Sequence, residues 1–484
     1  MNPPVKTTRS RCPICLAPAP ARVWKEAVAS ETDANGGGPI EQVMLTRDCP
    51  EHGEITTRIA SDARFYWLSH GRPENRCAPG ADGCCGNGTE KPAARRASDG
   101  APAGTLGANA FAPEGSVCET LSTCLALIEI VDSCNLSCPS CYADSQPGTG
   151  ARLDYVPLEE LQRRIQSAID RKGGIEILQF SGGEPTLHPE FFELLGWAQR
   201  HPDIDYVLIN TNGVRIAADA AFAEGLREAY QYGKVQLYLQ FDGPQEAGQI
   251  ALRGVDLRRT RGKTLRVTGE MGLPVTLAMT VQHDNLPHLW EAVAFGLRFD
   301  HVRGISFQPL FRSGRNPASL DGEPLNAADI VTGLISQSDG KLGPGDFTPL
   351  PCGDPNCAII GYLLKTGDGI RSVGDFIDFG AVQGFLRDKV RYRLADLTRC
   401  GCENEPLGEL LHAFELDERH TFRLFIKPFM DAHSWDDDRI DRCCTHVIRP
   451  DGRLDSFCRY YAQFPDAAPP PGAPTSAATT CRAC

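Results

Sequence analysis

Three cysteines, Cys134, Cys138 and Cys141, fall within eight positions of the run IVDSCNLSCPSCYADS at 130–145. Their spacing, C-x3-C-x2-C, follows directly on the apolar stretch CLALIEIV. Three thiolates this close can wrap one face of a cubane iron–sulfur cluster, since such clusters take Cys thiolates as ligands. A structural zinc site wants four ligands, usually as two separated pairs, and a CxxC redox pair has no use for a third thiol. A set of three leaves one iron open for a substrate. A second run, FSGGEPTLHP at 180–189, adds Gly182 and Gly183, which permit close approach of backbone to a ligand. Its Glu184 supplies a carboxylate able to receive an ammonium group.

The elements that must carry these runs alternate. Strand-like stretches are LALIEIV (125–131), IEILQFS (175–181), YVLINT (206–211), VQLYLQF (235–241), VTLAMTV (275–281) and GISFQPL (304–310). Helical periodicity lies between them, as in LEELQRRIQSAID (158–170) and PEFFELLGWAQR (189–200). Six such units predict an α/β fold with a parallel sheet and right-handed crossovers. The first strand is not followed by Gly-x-Gly-x-x-Gly, which disfavours a dinucleotide-binding fold. The expectation is a partial, TIM-like (βα)6 barrel over 118–320, with its chemistry at the C-terminal strand ends. Cysteine-rich metal-binding regions flank it at 1–85 and 321–484. A Gly/Ala/Pro/Ser-rich linker covers 86–117, and the chain closes in a Pro-rich tail.

The 484 residues carry a net charge of −13, which argues against a nucleic-acid partner. There is no apolar run of the roughly 18 residues that a membrane span needs, and the first residues lack a signal-peptide core. The chain therefore reads as a cytoplasmic protein and not as an integral membrane protein. In a reducing cytosol its 20 cysteines, arriving in tight groups, point to metal ligation rather than disulfides.

With CNLSCPSC after the first strand and SGGEPT after the second, the sequence resembles the radical SAM superfamily. That resemblance implies a 4Fe-4S cluster held by Cys134, Cys138 and Cys141, whose open iron binds S-adenosylmethionine. Electron transfer to the sulfonium then yields a 5′-deoxyadenosyl radical. The resemblance places Gly182, Gly183 and Glu184 at the methionine amino end. It places Asn212 of NTNG (210–213), with Gln240 and Asp242 of QFDG (240–243), at the ribose and carboxylate. One position departs from the family, which sets an aromatic residue before the third cysteine. Here that residue is Ser140, and Tyr142 follows Cys141.

Further segments, CPIC…CPEHG, PLPCGDPNC (349–357), FIKPFMDAHSWDDDRIDRCCTH (425–446) and LDSFCRYY (454–461), are similar to the tetraether-lipid-synthase group and to the related class D methylases. That similarity implies auxiliary 4Fe-4S clusters and an N-terminal, rubredoxin-like mononuclear iron or zinc site. Cys12, Cys15 and Cys49 supply three ligands of the mononuclear site, and the fourth is Cys77 or His52. If Cys77 is used there, Cys84, Cys85, Cys118 and Cys124 remain for a cluster nearby. Cys352, Cys357, Cys443, Cys444 and Cys458 lead the auxiliary candidates, followed by Cys400 with Cys402 and by Cys481 with Cys484. His446 reads as a ligand or a structural histidine. Lys427, Asp431 and Asp436 are candidates to line the substrate space, with surface salt bridges as the alternative.

The expected function is a radical SAM enzyme that couples or methylates an unactivated carbon of a lipid-like or cofactor-precursor substrate. Its electrons would come from a flavodoxin or ferredoxin. The alternatives are an auxiliary-cluster peptide maturase and a non-catalytic iron–sulfur scaffold or electron carrier.

Overall fold

The structure is a computed structural model describing residues 3–32, 39–68, 123–317, 322–350, 353–366, 369–376, 420–462 and 464. Cys77, Cys84, Cys85, Cys118, Cys352, Cys400, Cys402, Cys481, Cys484 and the 86–117 linker lie outside the described residues.

At the N-terminus, β1 (Lys6–Arg11), β2 (Pro18–Thr32), β3 (Pro39–Cys49) and β4 (Gly53–Ala60) form an antiparallel sheet in chain order. One face buries Val23, Val43 and Leu45 completely and joins the main core. The two tight reversals of this sheet, Cys12–Leu16 and Cys49–Gly53, carry the N-terminal cysteines. Leu16 and Gly53 there take left-handed φ values of 62° and 68°.

The main sheet follows the six predicted strands closely. They are β5 (Leu125–Val131), β6 (Ile175–Gly182), β7 (Ile204–Thr211), β8 (Val235–Gln240), β9 (Val275–Val281) and β10 (Val302–Pro309). Each pairs in parallel with the next. Helices cross between them, for example α1 (Leu158–Lys172), which buries Leu161, Ile165, Ala168 and Ile169 at helical spacing. Each large aliphatic side chain buried this way contributes about 1.5–3 kcal/mol. Gly173 ends α1 in the left-handed conformation, its N–H returning to the Ile169 carbonyl at 2.7 Å.

Four later strands extend this core. β11 (Ile359–Thr366) lies antiparallel to β12 (Thr421–Ile426), which is itself parallel to β10. At the other edge β13 (Thr445–Ile448) runs parallel to β5, and β14 (Leu454–Ser456) pairs antiparallel with β13. Eight consecutive strands, from β12 to β13, are therefore parallel. Among the described residues the ladder stays open, as a partial barrel. β12 and β13 come from a region whose composition reads as loop-rich. Four to six residues between Cys, Asp and Pro give too short a pattern for periodicity to reveal. No helix among the described residues is long and apolar enough to cross a membrane.

Candidate active site

Parallel strands put all their C-terminal ends on one edge of the sheet, and a cavity opens there. Cys134, Cys138 and Cys141 line it, together with Gly182, Gly183, Glu184, Asn212 and Gln240. The cysteine loop is fastened by backbone. Gly183 N–H donates to the Val131 carbonyl at 2.7 Å and Glu184 N–H to that of Ser133 at 3.0 Å. A Cβ on Gly182 would sit 2.1 Å from the Val131 oxygen, and one on Gly183 would sit 2.1 Å from that of Ser133. These glycines are required because two loops touch there.

The thiols suit an iron–sulfur cluster. Three of them share one lining, and the Leu136 N–H donates to Cys134 Sγ at 3.4 Å. Burial, and then the Glu184 charge, push the Cys134 thiol up to about 12, so a bound metal must displace its proton.

Glu184 is only 1% exposed. Its Oε1 accepts from Thr186 Oγ1 at 2.6 Å, Thr211 Oγ1 at 2.7 Å and Thr186 N–H at 3.2 Å. Its Oε2 accepts from Asn212 N–H at 2.8 Å. The carboxylate thus ties the loop after β6 to the end of β7. Burial raises its pKa against these bonds. Asn212 is engaged in the same way: its Nδ2 donates to Asn135 Oδ1 at 2.7 Å, and its Oδ1 caps Val214 N–H at 2.9 Å.

Asp242 requires a correction. It does not line the cavity; it is wholly buried, with a left-handed φ of 58°. Its two oxygens accept from Arg253 Nε and Nη2 at 2.7 and 2.8 Å, from Arg261 Nη2 at 3.0 Å and from Thr280 N–H at 3.1 Å. Burial raises its pKa, but the two guanidiniums outweigh this and hold it below the usual carboxylate range. The cavity-facing group is Arg253, whose charge favours the thiolate form of Cys138. A guanidinium fixed beside the cluster loop can receive a carboxylate. Gln240 lines the cavity with its Oε1 accepting from Arg261 Nη2 at 3.1 Å.

Arg315 is a second arginine that the sequence did not single out. It binds the carbonyls of Cys138 and Ser145 at 2.9 and 3.0 Å, and Cys141 and Arg315 exchange backbone hydrogen bonds at 2.8 and 2.9 Å. Neither arginine belongs to a spacing pattern, so only their partners identify them. Tyr142 also lines the cavity, its ring 4.7 Å from that of Tyr461.

Of the three polar candidates from the C-terminal region, only Lys427 lines the cavity. Asp431 turns to the N–H groups of His433 and Arg312 at 2.9 and 3.3 Å. Asp436 caps the short helix Asp437–Ile440 and takes Lys6 Nζ and Thr8 Oγ1 at 2.7 Å each.

The N-terminal cysteines form a second site. Ligand atoms of Cys12, Cys15, Cys49 and His52 all lie within 4.8 Å of one another. Cys15 Sγ is 3.7 Å from Cys49 Sγ, and His52 Nδ1 is 3.8 and 3.6 Å from Cys12 and Cys49. A tetrahedron with metal–sulfur bonds near 2.3 Å has edges of about 3.7 Å. The set therefore fits one tetrahedral ion with His52 in the fourth place. The sheet bearing it docks on the segment after β12 through Arg47. This fully buried guanidinium donates to the Ala432 and His433 carbonyls, to Ser10 Oγ at 2.9 Å and to Thr57 Oγ1 at 2.8 Å.

The described C-terminal cysteines lie near one another. Arg439, itself buried, is 3.8 Å from Cys357 Sγ, and its charge also bears on Cys458. A Cβ on Gly353 would meet Cys444 Sγ at 3.2 Å. Cys443 Sγ lies 3.0 Å from the Thr445 carbonyl. His446 is buried, bonded through Nδ1 to Thr123 Oγ1 at 2.9 Å, and pushed by burial down to about 3.

Residues 128–296 match the Radical SAM superfamily, and residues 4–61 match the HMPTM N-terminal zinc ribbon domain. A 7,8-dihydro-6-hydroxymethylpterin dimethyltransferase of Methanocaldococcus jannaschii is 26% identical, over 94% of this chain and 93% of its own. A GTP 3′,8-cyclase of Syntrophomonas wolfei is 24% identical over 58% of this chain and 86% of its own. A PqqA peptide cyclase of Streptomyces rochei is 30% identical over 40% of this chain and 51% of its own.

Proposed function

From the premise that this chain carries a radical SAM domain and is a radical SAM enzyme, we propose that it methylates an unactivated carbon of a small nitrogen heterocycle of the dihydropterin class. One observation carries this choice over a lipid chain. The strand faces lining the cavity present Gln179, Gln236, Tyr238, Ser306 and Gln308, whose amides and hydroxyls match the edge of a heterocycle. Packing alkyl chain against such groups costs about 1–3 kcal/mol for each one left unpaired. The likeness to a dihydropterin dimethyltransferase over nearly the whole chain supports the same class. Similarity to the peptide cyclase covers a smaller share of both chains.

Cys134, Cys138 and Cys141 would hold the 4Fe-4S cluster, which with S-adenosylmethionine supplies one-electron cleavage of the sulfonium. Arg253, oriented by Asp242, meets the methionine carboxylate. Gly182, Gly183 and Glu184 shape the wall for its amino end, and Glu184 keeps the loops after β6 and β7 in register. Asn212 and Gln240 border the nucleoside. Cys12, Cys15, Cys49 and His52 hold one zinc or iron, while Cys357, Cys443, Cys444 and Cys458 serve auxiliary clusters. A flavodoxin or ferredoxin in the cytoplasm supplies the electron.

The test is to incubate the reduced, reconstituted enzyme with S-adenosylmethionine and ring- and side-chain-deuterated 7,8-dihydro-6-hydroxymethylpterin. Label in 5′-deoxyadenosine and a product heavier by the added carbon are expected. A product that has only lost hydrogen would make the enzyme a dehydrogenase and end the methylation reading.

A further inference from the structure

The charge of the cavity runs against that of the chain. The formal net charge is −13, yet the Lys, Arg, Asp and Glu side chains lining the cavity are four cations and one carboxylate. The cations are Arg253, Arg315, Arg423 and Lys427, and the carboxylate is Glu184. Three of the cations are occupied. Arg253 is held by Asp242, Arg315 by Asp144 and by carbonyls of the cysteine loop, and Arg423 is hydrogen-bonded to Tyr362.

Lys427 is placed differently. It follows β12, where Arg423, Phe425 and Lys427 alternate toward the cavity while Phe422, Leu424 and Ile426 enter the core. Its Nζ donates to Thr445 Oγ1 at 2.9 Å and lies 5.8 Å from the centre of the Phe429 ring. Among the described residues no carboxylate lies within 4 Å of it. Thr445 also lines the cavity, and because its oxygen accepts from Lys427, its hydroxyl proton remains to be donated. An ammonium and a hydroxyl side by side, in a cavity whose one lining carboxylate, Glu184, already accepts from Thr186, Thr211 and Asn212, make an oxyanion site.

We propose that Lys427 and Thr445 form an anion subsite, in the same cavity as the cysteine loop, that anchors a phosphate ester or carboxylate borne by the substrate. This rests on reading the cavity as the place of a small polar substrate. It adds that the preferred member of that class is an anion, such as a phosphate ester of the hydroxymethyl group, with the neutral alcohol a weaker substrate and the charged end fixing the orientation of the ring.

The test is calorimetric titration of the reconstituted, S-adenosylmethionine-loaded enzyme with inorganic pyrophosphate and, separately, with malonate. The first probe stands for a phosphate ester and the second for a carboxylate. Saturable binding of at least one is expected, weakened at least tenfold in Lys427→Met and largely restored in Lys427→Arg. A response of the cluster's paramagnetic signal to S-adenosylmethionine shows that each variant has folded; for a variant without that response, Thr445→Val is titrated in its place, with the same weakening expected. No saturable binding of either probe, or equal binding by wild type and Lys427→Met, would overturn the proposal and assign the lysine's charge to the neighbouring Cys458. Pyrophosphate binding by an enzyme that leaves dihydropterins unchanged would keep the anion subsite and remove the pterin.

Discussion

Asp242 grips Arg253 through two parallel hydrogen bonds, Nε to Oδ2 at 2.7 Å and Nη2 to Oδ1 at 2.8 Å. The aspartate is fully buried and is not among the residues lining the cavity, while the arginine it holds lines the cavity, where its charge bears on Cys138. Asp242→Asn would leave two buried guanidiniums without their anion, a loss of about 3–5 kcal/mol of stability. S-adenosylmethionine affinity should fall with it, whereas Arg253→Lys should lose affinity with a smaller loss of stability. Thermal melts beside ligand titrations separate the two effects. Equal melting of wild type and Asp242→Asn would refute the pairing.

The same pair sets a dependence on pH. The folded-state pKa of Asp242 is depressed, so its contribution to stability is complete above the unfolded carboxylate value of about 3.9. It is lost as pH falls from there through the folded value. Denaturant midpoints of wild type should therefore drop through that acid range. Those of Asp242→Asn should drop less, and parallel curves would count against the linkage.

Replacing Cys134, Cys138 and Cys141 together with Ala should remove one cubane and all S-adenosylmethionine cleavage while sparing other bound metal. Iron analysis and 5′-deoxyadenosine assays on anaerobic protein check both halves. Unchanged 5′-deoxyadenosine formation by the triple variant would refute the assigned ligands.

Glu184→Gln should do more than remove a charge. Its oxygens accept from two backbone N–H groups and two hydroxyls, and a glutamine must turn an NH2 toward one of those donors. About 1–3 kcal/mol of stability should go with the unsatisfied donor. Affinity for S-adenosylmethionine, followed through the cluster's paramagnetic resonance, should fall with the cluster still present. A variant with wild-type melting and affinity would show that the link between the two loops carries neither.

The N-terminal site should hold one zinc or iron per chain, reduced in His52→Ala without loss of the cubane. Burial pushes the Arg47 guanidinium down to about 10, and its Nη2 donates to the Ala432 and His433 carbonyls of the segment that follows Lys427 and Phe429. Arg47→Met should therefore loosen that segment, with faster amide exchange over 430–436 while the N-terminal metal stays bound. Unchanged exchange there would mean that the docking does not depend on Arg47.

The sequence by itself determined what is local. Strand positions showed because apolar runs between helical periods are read along the chain, and the cysteine triplet showed because its ligands lie within two turns of backbone. The glycines of GGEP also stood out, although they serve contact between two loops. Pairings across the fold were left to tertiary structure. His52 joins the three N-terminal cysteines because two hairpin reversals bring it beside Cys12 and Cys49. Arg253 replaces Asp242 at the cavity because the sharp turn at Asp242 aims its carboxylate inward, where only a cation could follow. Lys427 faces the cavity while Asp431 and Asp436 serve the backbone and the N-terminal sheet, although all three sit in one polar run. Side-chain direction follows from packing against β10, β13 and the docked sheet, and residue order along one segment does not encode it.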